Sequence, residues 1–399
     1  MSKRYQGGIL GAGFNPLRAP NAPTIGTATA GGNNCASVAF TAPACVGGSA
    51  ITSYTARSEP TGFGAAAAGS PITVTGLTNG ASYTFGAFAL NSYGPSPISA
   101  FSNSITAVLD GTFGIFALGF GVIGNLTTRD KYTYSGDVVS AGTAATVASY
   151  FGSAAGNSTV GIFALGFGPS CVNSTARNKY TYSGCVVSAG GAATVASSRS
   201  SATGNSTVGI FALGLGNCNL KLATRNKYTY SGDVVSAGGA ATAASYSGSA
   251  TGNSTVGIFA LGNTSSPTTT RNKYTYSGDT VGAATASFPA ACQGSAAGNS
   301  TFGIFALGQT ACGRVTTREK YTYSGCVVSA GGAATTASCA GSAAGNSTVG
   351  IFALGAAPSR STTRNKYTYS GCVVSAGSAA TAASQFGSAA SNGIAGVTL

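Results

Sequence analysis

Histidine is missing from all 399 residues, and so is tryptophan. The first absence removes the Ser-His-Asp and Cys-His nucleophile systems, together with every histidine-ligated zinc site. Carboxylates are scarce: Glu59, Asp110, Asp130, Asp137, Asp233, Asp279 and Glu319 are the full set. Paired catalytic carboxylates need close approach and unlike environments. Asp137, Asp233 and Asp279 instead occupy one equivalent turn position, which offers neither, and they read as turn residues. No Cys-x-x-Cys spacing occurs among the ten cysteines, so neither a metal nor a cofactor is expected. No apolar run reaches the roughly 18 residues of a membrane span. Gly7, Gly8, Gly11 and Gly13 break up the apolar patch near the start, so no secretory leader is read there. The expectation is a non-enzymatic protein assembled inside a cell, with no membrane insertion.

Charged residues make up only 7% of the chain, far below the usual quarter, yet the net charge is +13. That excess resembles a nucleic-acid signal until its distribution is inspected. Twelve of the twenty basic residues are one Arg and one Lys in each of six repeats. An evenly distributed set of cations is not the clustered stripe that tracks a phosphate backbone, so no nucleic-acid partner is expected.

What the sequence does contain is repetition. Gly-Ile-Phe-Ala-Leu-Gly begins at Gly114, Gly161, Gly209, Gly257, Gly303 and Gly350, at intervals of 47, 48, 48, 46 and 47 residues. Each copy is followed by a variable loop, then Arg-x-Lys-Tyr-Thr-Tyr-Ser-Gly, then a Val/Ala/Gly/Ser-rich stretch. A fixed period of this length indicates a repeat architecture. Ile115–Leu118 is a continuous apolar tetrad, as in a strand covered on both faces. Tyr132-Thr133-Tyr134 alternates, and Val138–Ser140 and Gly152–Ala155 supply two further runs. Four short strands in such a period predict one blade of a β-propeller.

The ends of this region predict closure. Later hexapeptides are preceded by Gly-Asn-Ser-Thr, but the first by Asp110-Gly111-Thr112-Phe113. The missing segment reappears at Gly387–Asn392, so the C-terminal strand is expected to complete the first blade and leave no open sheet edge. Ile394–Leu399 has no assigned place.

Ahead of the repeats, residues 20–108 carry β-type runs at Pro23–Ala30, Ala36–Ala42, Ile51–Ala56, Ile72–Leu77, Tyr83–Leu90 and Ser99–Val108, predicting a sandwich of about seven strands. In Gly76–Tyr83, Leu77 precedes Tyr83 by six residues, and Asn91-Ser92-Tyr93-Gly94 and Ser102-Asn103-Ser104 follow. This pattern resembles the fibronectin type III family with its tyrosine corner, with Phe40 in place of the usual early Trp. Residues 1–19 read as an N-terminal docking arm, with Arg4, Tyr5, Phe14 and Leu17 as its candidate contacts.

The hexapeptide repeats resemble the kelch-like propellers of tailed bacteriophages, with Leu-Gly replacing the kelch Gly-Gly doublet and Tyr-Thr-Tyr standing near its Trp. Arm, sandwich and blades together are similar to phage fibre or appendage proteins, particularly those of phages infecting cyanobacteria and other aquatic hosts. The organisation is thus an arm (1–19), a fibronectin type III-like β-sandwich (20–108) and a six-bladed β-propeller closed by the C-terminal strand (109–399), all-β throughout. The resemblance implies a virion structural protein, homo-oligomeric, docked on other virion proteins through its arm. Its loops would attach to host surface polysaccharide. A head-decorating or adaptor protein is the alternative, and a glycan hydrolase a remoter one.

Four sets of residues are candidates for a site. Arg129 and Lys131, Arg177 and Lys179, Arg225 and Lys227, Arg271 and Lys273, Arg318 and Lys320, and Arg364 and Lys366 share a strand face in each repeat. They could form a ring of surface cations for an anionic glycan, or they could cap blade edges and keep the protein soluble. The tyrosine pairs are expected to pack between blades rather than stack sugars. The loops Phe120–Leu126, Phe167–Thr175, Leu215–Ala223, Asn263–Thr269, Gln309–Thr316 and Ala356–Thr362 differ in every copy on a constant scaffold, and recognition is expected there. Cys171 with Cys185, and Cys312 with Cys326, share a separation of 14 and are candidate disulfides, free buried thiols being the other reading.

Overall fold

The structure, a computed structural model, describes residues 17–31, 35–78, 81–107, 112–170 and 172–392. The chain is all-β: among the described residues there are strands and three single-turn 3₁₀ segments, and no α-helix. It divides into two compact units, residues 1–109 and 110–399.

The first unit is a β-sandwich. One sheet holds Thr24–Gly31, Cys35–Thr41 and Ile72–Val74. The other holds Gly64–Ala67, Ser53–Glu59, Ser82–Asn91 and Gly94–Pro95, with Ile105–Thr106 also on Ser82–Asn91. Period-two alternation drives it: Val38, Ala56, Val74 and Phe85 point inward and are fully buried. The Tyr83 hydroxyl accepts a hydrogen bond from the Thr78 backbone N–H at 3.2 Å, with Leu77 buried beside it. The run expected as a strand at Ser99–Val108 is regular only at Ile105–Thr106. Pro95 and Pro97 withhold N–H donors, and serines at every third position replace the ladder. Ser96, Ser99 and Ser102 each donate their N–H to the carbonyls of Ala89, Ala87 and Phe85, and each Oγ accepts the N–H of the same partner. Arg18, placed in the arm by sequence, belongs here instead, since its N–H binds the Gly47 carbonyl.

The second unit contains six four-stranded antiparallel sheets, designated I to VI. Sheet II is representative: Ser153–Gly156 innermost, then Val160–Ala164, Arg177–Thr181 and Val186–Gly190. The hexapeptide therefore forms the second strand of each sheet. Its consecutive apolar residues face opposite ways, and both faces are covered by neighbouring sheets. Ile115 packs into one core with Phe163 and Tyr180, whereas Phe116 packs into another with Ile351 and Ala344. Six such cores result, each joining the isoleucine of one sheet to the phenylalanine of the next, and the last pairs Ile351 with Phe116. Each fully buried Ile or Phe contributes about 1.5–3 kcal/mol.

Two glycines of the hexapeptide have separate causes. A Cβ on Gly161 would lie 2.7 Å from the Tyr182 hydroxyl, so the first glycine admits the second tyrosine of Tyr-Thr-Tyr. The last, as at Gly166 with φ +70, turns the chain through the left-handed region.

Sheet I takes its innermost strand from the far end of the chain. Ser388–Ser391 pairs antiparallel with Phe113–Ala117, Ser391 opposite Gly114 and Ser388 opposite Ala117. The innermost strands of successive sheets lie side by side, and that of sheet VI returns to that of sheet I. At one end of these strands, a circuit of backbone hydrogen bonds links all six sheets. Arg199 N–H donates to Phe151, Ser247 to Arg199, Gln293 to Ser247, Ala340 to Gln293, Phe386 to Ala340 and Phe151 to Phe386, at 2.7–3.0 Å. All six residues adopt positive φ between 51° and 58°, although none is glycine. A strained backbone of this kind persists where its surroundings fix it, and here the circuit does so. Ile394–Leu399 lies outside the described residues.

Candidate functional site

Because each sheet is antiparallel, its variable loop and its link to the next innermost strand emerge at one end, so that all six loops lie at that end. The Asn-Ser-Thr and Tyr-Ser-Gly turns emerge at the other. Sequence-predicted site residues are distributed between these ends and the sheet interfaces.

The six arginines expected as a surface cation ring are buried, with 0–2% exposure. Each guanidinium reaches from the third strand of its sheet onto the next sheet. That of Arg129 stacks 4.6 Å above the Phe163 ring centroid, and its Nη2 donates to Asn178 Oδ1 at 3.1 Å. Arg177 repeats this on Phe211 and Asn226, Arg225 on Phe259 and Asn272, and Arg318 on Phe352 and Asn365. Arg271 and Arg364 use Phe305 and Phe116 with carboxylates instead, Glu319 at 2.6 Å and Asp130 at 2.7 Å. A desolvated cation–π contact is worth about 2 kcal/mol. Burial pushes Arg129, Arg177, Arg225 and Arg318 down to about 10, leaving them cationic at neutral pH. The arginines are inter-sheet staples because planar guanidinium can stack and hydrogen-bond at once, which an exposed role would not require.

The lysines share that face but lie nearer solvent, half-buried. Lys179, Lys227 and Lys366 form ion pairs of 2.9–3.0 Å with Asp233, Asp279 and Asp137 of the next sheet. Where the next turn carries cysteine, Lys131 and Lys320 lie instead 4.2 and 4.1 Å over Phe113 and Phe302. Lys273 also faces a sheet whose turn carries cysteine, at Cys326. The three aspartates hold the left-handed turn position expected of them, with φ 52–55°. Each also accepts a hydrogen bond from the first tyrosine of its Tyr-Thr-Tyr, at 2.8–3.0 Å. Both tyrosines of each pair are buried between sheets. Burial raises the pKa of Tyr182, Tyr230 and Tyr369 well above 10.

Cys312 and Cys326 are free thiols, not a disulfide. The loop bearing Cys312 and the turn bearing Cys326 lie at opposite ends of the strand Arg318–Thr322, whose five residues span roughly 17 Å. A disulfide needs Cα atoms within about 7 Å. Cys185 is likewise free; its candidate partner Cys171 lies outside the described residues, as do Arg4, Tyr5 and Phe14 of the arm. Leu17 is exposed. The Asn-Ser-Thr sequences are structural: Asn157 Oδ1 accepts from Thr159 and Val160, while its amide donates to Ser206 of the next sheet.

The loop end carries the variable chemistry. Val122, Ile123, Val172 and Leu220 are 61–96% exposed at its loop tips, and Phe288, on a link to the next innermost strand, is 85% exposed. Between the innermost strands, Gly-Ser-Ala segments of five sheets and Ser200-Ser201-Ala202 of the other line a cavity of about 60 Å³, large enough for a few waters. No group of three or more His, Cys, Asp or Glu capable of holding a metal occurs among the described residues.

Two features escaped the sequence reading. The middle residue of Arg-x-Lys is Asn in four copies and acidic in two, a visible signal for the staple acceptor. The hydrogen-bonded circuit had no side-chain signal, because Phe, Arg, Ser, Gln, Ala and Phe serve it equally through their backbones.

No protein-family model matches this chain, and no curated protein matches it. Among solved structures, one of titin domains A168–A170 is similar over 22% of this chain at 25% identity, with a TM-score of 0.21. The match spans about a third of that titin chain.

Proposed function

We propose that this chain is a non-enzymatic structural protein of a tailed-phage particle, a fibre or appendage. In this reading a kelch-like six-bladed β-propeller, closed by the C-terminal strand, follows a fibronectin type III-like spacer. Its loop end faces the host surface, and its arm docks on other virion proteins. The observation that carries the reading is the division of labour in the second unit. Strands, staples and cores repeat almost unchanged six times, while the loops at one end differ in sequence in every copy, varying in charge and apolarity.

The fate of the carboxylates supports a non-catalytic role. Asp130 and Glu319 are consumed in buried staples, and Asp137, Asp233 and Asp279 are committed to lysine and tyrosine partners. The reading is tested by binding the full chain to envelope polysaccharide and to whole cells of candidate hosts, beside a variant with its six loops replaced by one common turn. Loss of binding on loop replacement is the expected result. Release of sugar fragments would overturn the non-enzymatic reading.

Exposed Tyr93, Ile98 and Phe101 on the sandwich favour a second reading, an adaptor or decorating protein that touches only virion partners. Immunogold labelling separates the two. Label on the head, or label hidden in the assembled particle, would favour the adaptor.

A further inference from the structure

We infer that the loop end of the second unit docks peripherally on an anionic lipid surface, an inference that rests on the loop end being the attachment face. Exposed apolar side chains at loop tips are costly to leave in water, and those of the second unit that are more than 60% exposed lie at this end, while the valines beside the Tyr-Ser-Gly turns of the other end are 55–58% exposed. Ile123 is 96% exposed, Val122 74% and Leu220 64%, and Phe288, on the segment linking sheet IV to sheet V, is 85% exposed. The aliphatic tips Val122, Ile123 and Leu220 offer sugars neither a stacking plane nor hydrogen bonds, whereas they and the Phe288 ring partition readily into the boundary between lipid headgroups and acyl chains.

The charges at this end have one sign. Lys221 follows Leu220 on its loop, and Arg314 lies on the Gln309–Thr316 loop, exposed and donating to the Pro358 carbonyl at 2.7 Å. Arg199 and Arg360 lie on the neighbouring link and loop, stacked on Phe151 and Phe120. The carboxylates that could offset them are elsewhere. Asp130 and Glu319 are buried in staples, and Asp137, Asp233 and Asp279 sit at the opposite end, paired with lysines. Among the described residues the loop end therefore presents cations beside apolar tips and no exposed carboxylate. That combination is complementary to a bilayer bearing anionic headgroups. The staples and the backbone circuit hold the tips in place, so docking orders little of the chain and loses little entropy on binding.

The test is co-sedimentation of the full chain with phosphatidylcholine vesicles, with and without phosphatidylglycerol, alongside binding to purified envelope polysaccharide. The expected result is binding to the anionic vesicles that weakens with added salt. Lys221→Gln or Arg314→Gln should weaken it about fivefold each. Ile123→Ser and Phe288→Ser should each weaken it roughly tenfold or more, with the thermal midpoint unchanged because both tips are already in water. Binding to anionic vesicles that ignores the tip substitutions overturns the inference. Loop-dependent binding to polysaccharide without vesicle binding overturns the lipid assignment but leaves the attachment face standing. Binding to neither overturns both.

Discussion

In sheets II to VI the innermost strand runs into the second through a tight Asn-Ser-Thr turn, whereas sheet I assembles the same pair from Thr112 and Asn392, 280 residues apart. The turn is nonetheless rebuilt. Asn157 Oδ1 accepts the N–H groups of Thr159 and Val160, and Asn392 Oδ1 accepts those of Thr112 and Phe113. Asn157 N–H donates to the Val160 carbonyl, and Asn392 N–H to that of Phe113. The junction entering sheet I also differs in charge. Its staple is the ion pair Arg364–Asp130, matched by Arg271–Glu319, whereas the staples of the other four junctions use an Asn acceptor, each beside a lysine–aspartate or lysine–phenylalanine contact. The difference teaches that chain continuity is dispensable at a repeat boundary if the same hydrogen-bond pattern is restored from two ends.

The largest expected effect comes from removing that restoration. Deleting residues 388–399 exposes the edge of Phe113–Ala117 and opens the cores around Ile115 and Phe116. The loss should be comparable to the ~5–15 kcal/mol that stabilises a typical domain, read as insoluble expression or loss of a cooperative thermal transition. Opening the Asn205 turn by the same logic, with the inner strand retained, should cost far less.

Next in size is the staple. Asp130→Ala leaves Arg364 buried without its counter-ion and is expected to destabilise by about 3–5 kcal/mol. Asn226→Ala removes a neutral acceptor from Arg177 and is expected to cost about 1–3 kcal/mol. Denaturant melts of the two variants measure the gap, and equal losses would mean the ionic junction is not special.

Alkaline pH sharpens the comparison further. Burial raises Tyr182, Tyr230 and Tyr369 above their ordinary value of 10.0, so the stability they contribute is complete below pH 10 and is lost as pH climbs beyond it. The Tyr182 hydroxyl donates to the Ser391 carbonyl in the closing strand. Amide exchange at 388–391 should therefore accelerate above pH 10 before exchange at 249–252, with tyrosinate absorbance rising in parallel. The smallest effect is expected from Asn226→Asp, which copies the ionic staple into a continuous junction. A change of about 1 kcal/mol or less in either direction is expected, visible as a small shift in thermal midpoint.

Much of this architecture was legible because repetition averages over local ambiguity. One Gly-Ile-Phe-Ala-Leu-Gly could be a helix fragment or a strand, but six copies beside six Tyr-Thr-Tyr alternations fix strand and register together. The displaced Gly387–Asn392 segment announced its pairing with Phe113–Ala117 by what the first copy lacked. The tyrosine corner was equally visible in Leu77 and Tyr83. The arginines were harder. Arg-x-Lys on one strand face says that both side chains share a direction, but not whether that direction leads to water or to the next sheet. Only the facing phenylalanines decide it, and they lie one repeat further on, beyond any local window. The disulfide expectation failed for a similar reason, since a constant separation of 14 along the chain says nothing about which end of a strand each thiol occupies. Ser96, Ser99 and Ser102 show the converse, a regular strand partner hidden by a period of three.

The backbone circuit through Phe151, Arg199, Ser247, Gln293, Ala340 and Phe386 has a consequence for how such a gene can change. Every member passes one donor forward and receives one in return, all in the same rotational sense. Near-identical units invite duplication or loss by unequal crossover, yet a product with five or seven units would leave the circuit unable to meet itself at the same curvature. Copy number is thereby counted by geometry at the moment of folding, while the tips at the loop end stay free to diverge one unit at a time.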